Sequence, residues 1–167
     1  MSMAEKREDL SEEDEGHLRR AIALSREKML ANLGGPFGAV IAKAGSVVAE
    51  GWNQVISSKD PTAHAEVTAI RLASTRLGHF VLEGCTLYSS CEPCPMCLAA
   101  AYWARVDRVV YAATRADAAA GGFDDELLYR ELPLPPDQRS LPMSQALHSE
   151  AARVFDEWRA KADKVMY

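Results

Sequence analysis

The sequence predicts an α/β domain with helices on both faces of one sheet. Three observations predict it. Amphipathic helical stretches alternate with short strand-like runs along the chain. Turn signals such as Gly34-Gly35-Pro36, Ala44-Gly45 and Gly121-Gly122 fall between these stretches. At 167 residues, 48% hydrophobic and 26% charged, the chain fits one globular domain with a sizeable core.

Taken in order, residues 1–15 form an acidic segment, expected to be a mobile tail, ahead of a single domain over 16–167. The segment holds two basic and seven acidic side chains, so the whole net charge of −5 resides there. The rest is neutral, with 17 of each sign. Ser11 before a run of acids reads as a helix start. Leu18, Ile22, Met29 and Leu33 mark the apolar face of that helix, which Gly34-Gly35-Pro36 ends. Ala39–Lys43 and Val47–Trp52 read as two strands around Ala44-Gly45. Asp60-Pro61-Thr62 reads as a second helix start, with Ala63–Leu77 continuing it. Cys85–Ser90 is a strand, Pro95–Ala104 a helix and Arg108–Ala112 a strand. Asp125–Glu131 looks helical, Leu132–Pro142 is a proline-rich connector, and Glu150–Lys164 is an amphipathic helix with Ala151, Val154, Phe155 and Trp158 on one side. No internal repeat appears.

The residues that carry chemistry are His64-Ala65-Glu66 and Pro93-Cys94-Pro95-Met96-Cys97. One imidazole and two thiolates make three ligands, and a catalytic zinc wants three plus an open position. Glu66 is then a proton carrier rather than a ligand. Both groups fall where a strand or loop hands over to a helix. A helix N-terminus stabilises negative charge and so favours the thiolates. His64 and Glu66 are two apart, so both reach one metal only where a helix begins between them. Two other readings stay open here. Cys85 or Cys91 as a fourth ligand makes a closed structural zinc site. The spacing Cys91-x2-Cys94-x2-Cys97 also begins an iron–sulfur motif. The four cysteines cluster over Cys85–Cys97, which suits metal binding in a reducing cytoplasm better than a disulfide framework. Met1–Glu15 is polar and does not read as a secretory signal, and no apolar run reaches membrane-span length.

These motifs, with Gly34–Val40, Asp60–Arg71, Tyr102-Trp103-Ala104-Arg105, Gly122-Phe123-Asp124-Asp125 and Tyr167, resemble the cytidine deaminase-like superfamily of zinc-dependent deaminases. Within it they resemble the bacterial guanine deaminases. The resemblance runs from about residue 18 to the end. It implies a three-layer α/β/α sandwich with a five-stranded mixed sheet. It implies one zinc per subunit, held by His64, Cys94 and Cys97, with Glu66 moving protons during hydrolysis of guanine to xanthine and ammonia. Asn53 and Asp125 would hydrogen-bond the purine, and Phe37 and Trp103 would flank it. Backbone N–H groups near Ala65 and Cys94 would contact the ligand. The family's dimers exchange their C-terminal segments, which here implies a homodimer that swaps 132–167, with Tyr167 completing the partner's pocket.

Related deaminases act on guanosine or aminotriazines and share the zinc motif, so those substrates remain alternatives. Deamination of adenosine in tRNA is weighed against by the neutral body, since a chain that grips a phosphate backbone carries basic excess. From a different class, a zinc-stabilised binding module without catalysis would have no use for Glu66. The expected partner is therefore a small purine, with no membrane and no nucleic acid.

Overall fold

The computed structural model describes residues 10–166. Among them the chain divides into two compact units, the first ending at Asp125 and the second beginning at Glu126.

The first unit is built on a four-stranded sheet. β1 (Gly38–Lys43) and β2 (Ser46–Trp52) form a hairpin whose turn residues Ala44 and Gly45 both have positive φ, 45° and 77°. Two-residue hairpin loops need that geometry to match strand twist. β3 (Cys85–Cys91) pairs antiparallel with β1 and parallel with β4 (Arg108–Ala113), giving the order β2-β1-β3-β4. The sheet is mixed, as expected, but it has four strands among the described residues rather than five. Beyond β4 none of the described residues forms a strand. Thr114 and Asp117 form a capping box that starts α5 (Arg115–Ala120), an alanine-rich helix. Further on, Pro133, Pro135, Pro136 and Pro142 lack the N–H that a ladder requires.

Helices cover both faces. α1 (Glu12–Leu30) packs on one face, where Ala21 meets Val40, Ala42, Tyr88 and Val110. α3 (Ala65–Leu77) and α4 (Pro95–Ala104) pack on the other, where Ala65, Ala69, Ala73, Ala101 and Ala104 meet Ile41, Ala49 and Leu87. Successive β1 residues alternate between the two clusters, as a two-residue period requires. The layers are therefore α1, the sheet, and α3 with α4. No helix among the described residues is long and apolar enough to cross a membrane.

Small residues set how closely the helices approach. A Cβ on Gly51 would lie 2.3 Å from the Ala65 carbonyl oxygen, and one on Gly38 would lie 2.4 Å from that of Ala21. This corrects the expected face of α1. Ile22, Met29 and Leu33 are exposed, and the buried stripe is Asp14, Ala21, Leu24 and Ser25. The turn of α1 that meets Gly38 presents Ala21, Leu24 and Ser25, and of the residues expected on this face Leu18 alone packs, half-buried, against the core. The acids Glu12–Glu15 are the first turn of α1, begun by a Ser11–Asp14 capping box.

Two further boundaries differ from the sequence reading. Asp60-Pro61-Thr62 is a turn, not a helix start: Asp60 Oδ1 accepts from the Thr62 N–H at 2.8 Å and from its hydroxyl at 2.7 Å. The helix begins later, at Ala65. A short helix, α2 (Val55–Ser58), precedes that turn.

The second unit holds α6 (Glu126–Glu131), a 3₁₀ turn at Pro136–Gln138 and α7 (His148–Ala160). Side chains fix its proline-rich segment. Arg139 donates to the carbonyls of Leu134 and Leu132 at 2.9 and 3.2 Å, and the Ser140 N–H donates to Glu131 at 2.6 Å. The apolar face read on α7 is present and exposed, with Phe155 at 70%.

Candidate active site

The site forms where two helices begin. His64 is the residue just before α3, with extended backbone (φ −69°, ψ 161°), and Glu66 sits in the helix's first turn. A helix start between them lets both side chains serve one point, as the two-residue spacing demanded. Cys94 stands in the same position before α4 (φ −63°, ψ 165°), Pro95 opens that helix, and Cys97 lies in its first turn. Both helices aim their positive ends at the group.

The approach to His64 is held by hydrogen bonds. The His64 N–H donates to the Thr62 carbonyl at 2.8 Å, and Gln54 N–H to that of Ala63 at 2.8 Å. The Asp60–Thr62 turn is in turn bridged to α3 by Arg71.

His64 Nδ1 lies 3.6 Å from Cys94 Sγ and 3.5 Å from Cys97 Sγ. The three ligand atoms fall within 4.8 Å of one another. Tetrahedral zinc, with bonds of about 2.0–2.1 Å to nitrogen and about 2.3 Å to sulfur, sets an N···S edge of about 3.6 Å. The residues therefore fit zinc. Hydrogen bonds from the Cys97 thiol and from His64 lower the Cys94 pKa to about 4. Bonding to that thiolate, with burial, pushes Cys97 far up. Two thiols so close ionise together only around a cation.

Cys91 and Cys85 do not join the group. Cys91 Sγ donates to the Thr114 carbonyl at 3.5 Å, and Cys85 is buried at the start of β3. Among the described residues His64, Cys94 and Cys97 form the group placed to hold a metal ion. Neither Cys85 nor Cys91 is therefore placed to close a four-ligand site or to complete an iron–sulfur set with this group.

Glu66 is 5% exposed. Burial raises its pKa, opposed by hydrogen bonds that include the Cys97 thiol and the Ser89 hydroxyl, 3.1 Å from Oε1. A carboxylate kept close to its proton suits a group that must both take and give one.

The residues expected around the purine are placed as follows. The Asn53 N–H donates to the Phe37 carbonyl at 3.1 Å, and Asn53 Oδ1 accepts from the Val55 N–H at 3.3 Å. Gly34 makes that junction tight, because a Cβ there would lie 1.6 Å from the Asn53 carbonyl oxygen. Ala65 is fully buried as the first residue of α3. Asp125 has its carboxyl pushed up, first by burial and also by the Cys94 thiolate, which puts it in electrostatic range of the ligand group. Trp103, on α4, is 71% exposed. Tyr167 lies outside the described residues.

Two neighbours of these residues were not among the expected site residues. Phe123 packs edge-on against Phe37, with ring centroids 4.9 Å apart. Its place two residues before Asp125 was the available signal. Ser89 bonds Glu66, and only its strand face reveals it.

Residues 11–113 match the model of the cytidine and deoxycytidylate deaminase zinc-binding region. The chain is 52% identical to guanine deaminase of Bacillus subtilis (strain 168), over 92% of this chain and 98% of that protein. The solved structure of guanine deaminase from Bacillus subtilis superposes with a TM-score of 0.90 at 51% identity, covering 95% of this chain and 99% of that one. That of guanine deaminase from Nitrosomonas europaea gives 0.65 at 30% identity, covering 90% and 86%.

Proposed function

From the premise that this chain belongs to the cytidine and deoxycytidylate deaminase zinc-binding family, we infer that it is a hydrolase that converts guanine and water to xanthine and ammonia. The observation that carries this reading is the three-ligand group with Glu66 beside it, in a chain 52% identical to a guanine deaminase.

His64, Cys94 and Cys97 would hold the zinc, which when bound would supply the Lewis acidity that makes water nucleophilic near neutral pH. Every other demand falls on side chains. Glu66 takes a proton from the water that attacks C2, the carbon carrying the exocyclic amine. It passes that proton to the adjacent ring nitrogen, then takes the second from the new C2 hydroxyl and delivers it to the amine, which leaves as ammonia as the C2 carbonyl forms. One carboxylate must then touch both water and substrate, and burial keeps bulk water from competing with it. Guanine presents N1–H and the amine as donors, and Asp125 is a matching acceptor. Asn53 offers a second polar contact and the Ala65 N–H a third. Phe37, braced by Phe123, supplies an apolar wall.

Trp103 needs a different setting. A stacking wall does not work in open solvent, and Leu98, Tyr102 and Trp103 together expose an apolar stripe on α4. We propose a homodimer that covers this stripe and exchanges residues 132–167, with Tyr167 of the partner subunit closing the site. We place the enzyme in the cytoplasm, acting on a free purine rather than on a nucleic acid.

A substrate panel followed by ammonia release tests the reading: guanine, guanosine, adenine, cytosine, cytidine and an aminotriazine. Guanine is expected to turn over fastest. Preference for guanosine or the aminotriazine overturns the substrate assignment. No release from any of them by zinc-loaded protein overturns the enzyme reading.

A further inference from the structure

The face of β3 toward α3 and α4 carries Cys85, Leu87, Ser89 and Cys91, every second residue of the strand. Cys85 and Leu87 are fully buried core. Ser89, next along the face, is 2% exposed, and its partner across the antiparallel ladder is Ala39, also fully buried. A hydroxyl in such a place is costly unless bonded, and an alanine would pack there without cost. The hydroxyl has a partner: it donates to Glu66 Oε1 at 3.1 Å. Ser90 faces the other way and serves a different need, accepting from the Gly38 N–H at 3.0 Å.

The geometry points to Ser89 as the positioning residue of the proton carrier. It ties one carboxylate oxygen of Glu66 to the central strand and leaves the other to exchange protons. This rests on the reading of the chain as a deaminase that works through Glu66. The physical need is plain. Glu66 sits in the first turn of α3, on a flexible side chain, and its carboxylate must meet water, ring nitrogen and amine in turn. A misplacement of about 1 Å costs on the order of a hundredfold in rate. β3 lies inside the sheet with neighbours on both sides, so it is a rigid anchor. Ser89 touches neither substrate nor metal in this account and acts through Glu66 alone.

The test is a double-mutant cycle in zinc-loaded protein, with kcat and KM for guanine, zinc content and melting temperature read for each variant. Ser89→Ala is expected to lower kcat about tenfold to hundredfold, the worth of a hydrogen bond to a charged group. KM should stay within about twofold and zinc content at the parental level, because a lost hydroxyl changes only how Glu66 is held. In a Glu66→Ala background the same change should cost nothing further, since nothing remains to position. Ser89→Thr keeps the hydroxyl and Ser89→Val removes it at nearly the same shape, so Thr should exceed Val by the same factor. Parental kcat in Ser89→Ala, or an undiminished loss in the Glu66→Ala background, overturns the assignment. Equal activity of the Thr and Val variants overturns it as well. If the unsubstituted protein releases no ammonia from guanine, the functional reading fails instead.

Discussion

Glu66 has the least freedom of any residue in the account, because one carboxylate serves every proton transfer. Glu66→Gln keeps the shape and the zinc but removes the acid–base group. Turnover of guanine is expected to fall about 10²–10⁴-fold with zinc per chain unchanged. Steady-state rates beside metal analysis check this, and parental turnover would show that another group moves the protons. Asp125→Ala should lower guanine turnover strongly without changing zinc content. It should spare a substrate that keeps the leaving amine but lacks the N1–H donor, and a ratio of kcat/KM values for the two substrates reads the difference. That His64, Cys94 and Cys97 come together, with Glu66 on the helix that His64 precedes, was legible in the sequence because residue type and spacing at two helix starts require it. Ser89 was not. A serine in a strand carries no signal until the register shows which face it is on and what crosses above it.

At the scale of elements, α1 is pinned to the sheet by one buried acid. Asp14 accepts from the Tyr88 hydroxyl at 2.6 Å and from the Ser11 hydroxyl at 2.9 Å, and pairs with Arg108 on β4. These bonds, Tyr88 first, hold its carboxyl well below the usual carboxylate range. A depressed folded-state pKa gives stability that is fully present above the unfolded value of about 3.9 and is lost as pH falls below it. The native protein should therefore lose stability on acidification through about pH 4, and Asp14→Asn should be destabilised at neutral pH by about 1–3 kcal/mol. Asp14→Asn should also respond less to acid. Chemical denaturation at several pH values decides, and parallel pH profiles for the two proteins would remove Asp14 from the cause. Elements with local signals were read well from the sequence. Pro95 marks the start of α4, and Ala44-Gly45 the hairpin turn. Asp60-Pro61-Thr62 misled because aspartate caps turns as readily as helices, and only backbone hydrogen bonds distinguish the two. The α1 face misled because periodicity alone does not show which turn meets Gly38, and the turn that does carries Ala21, Leu24 and Ser25.

For the molecule as a whole, exposed apolar surface is the feature that a single chain leaves unresolved. Tyr102 and Trp103 on α4 and Val154 and Phe155 on α7 are all well exposed. A dimeric mass is expected in solution at micromolar concentration, and light scattering on a sizing column checks it. A monomer there would leave Trp103 without the cover that a binding wall needs. The alternation of helix and strand gave the layered class from sequence. The number of strands depended on resemblance rather than on local pattern, and the proline-rich and alanine-rich stretches after β4 explain why a fifth does not form. The central claim is that this chain hydrolyses guanine with water. The most direct measurement is mass spectrometry of the product formed from guanine by zinc-loaded protein in ¹⁸O-labelled water. The expected product is xanthine carrying one labelled oxygen at C2, with one ammonia released for each. Unlabelled xanthine, or no xanthine from protein with full zinc, would contradict it.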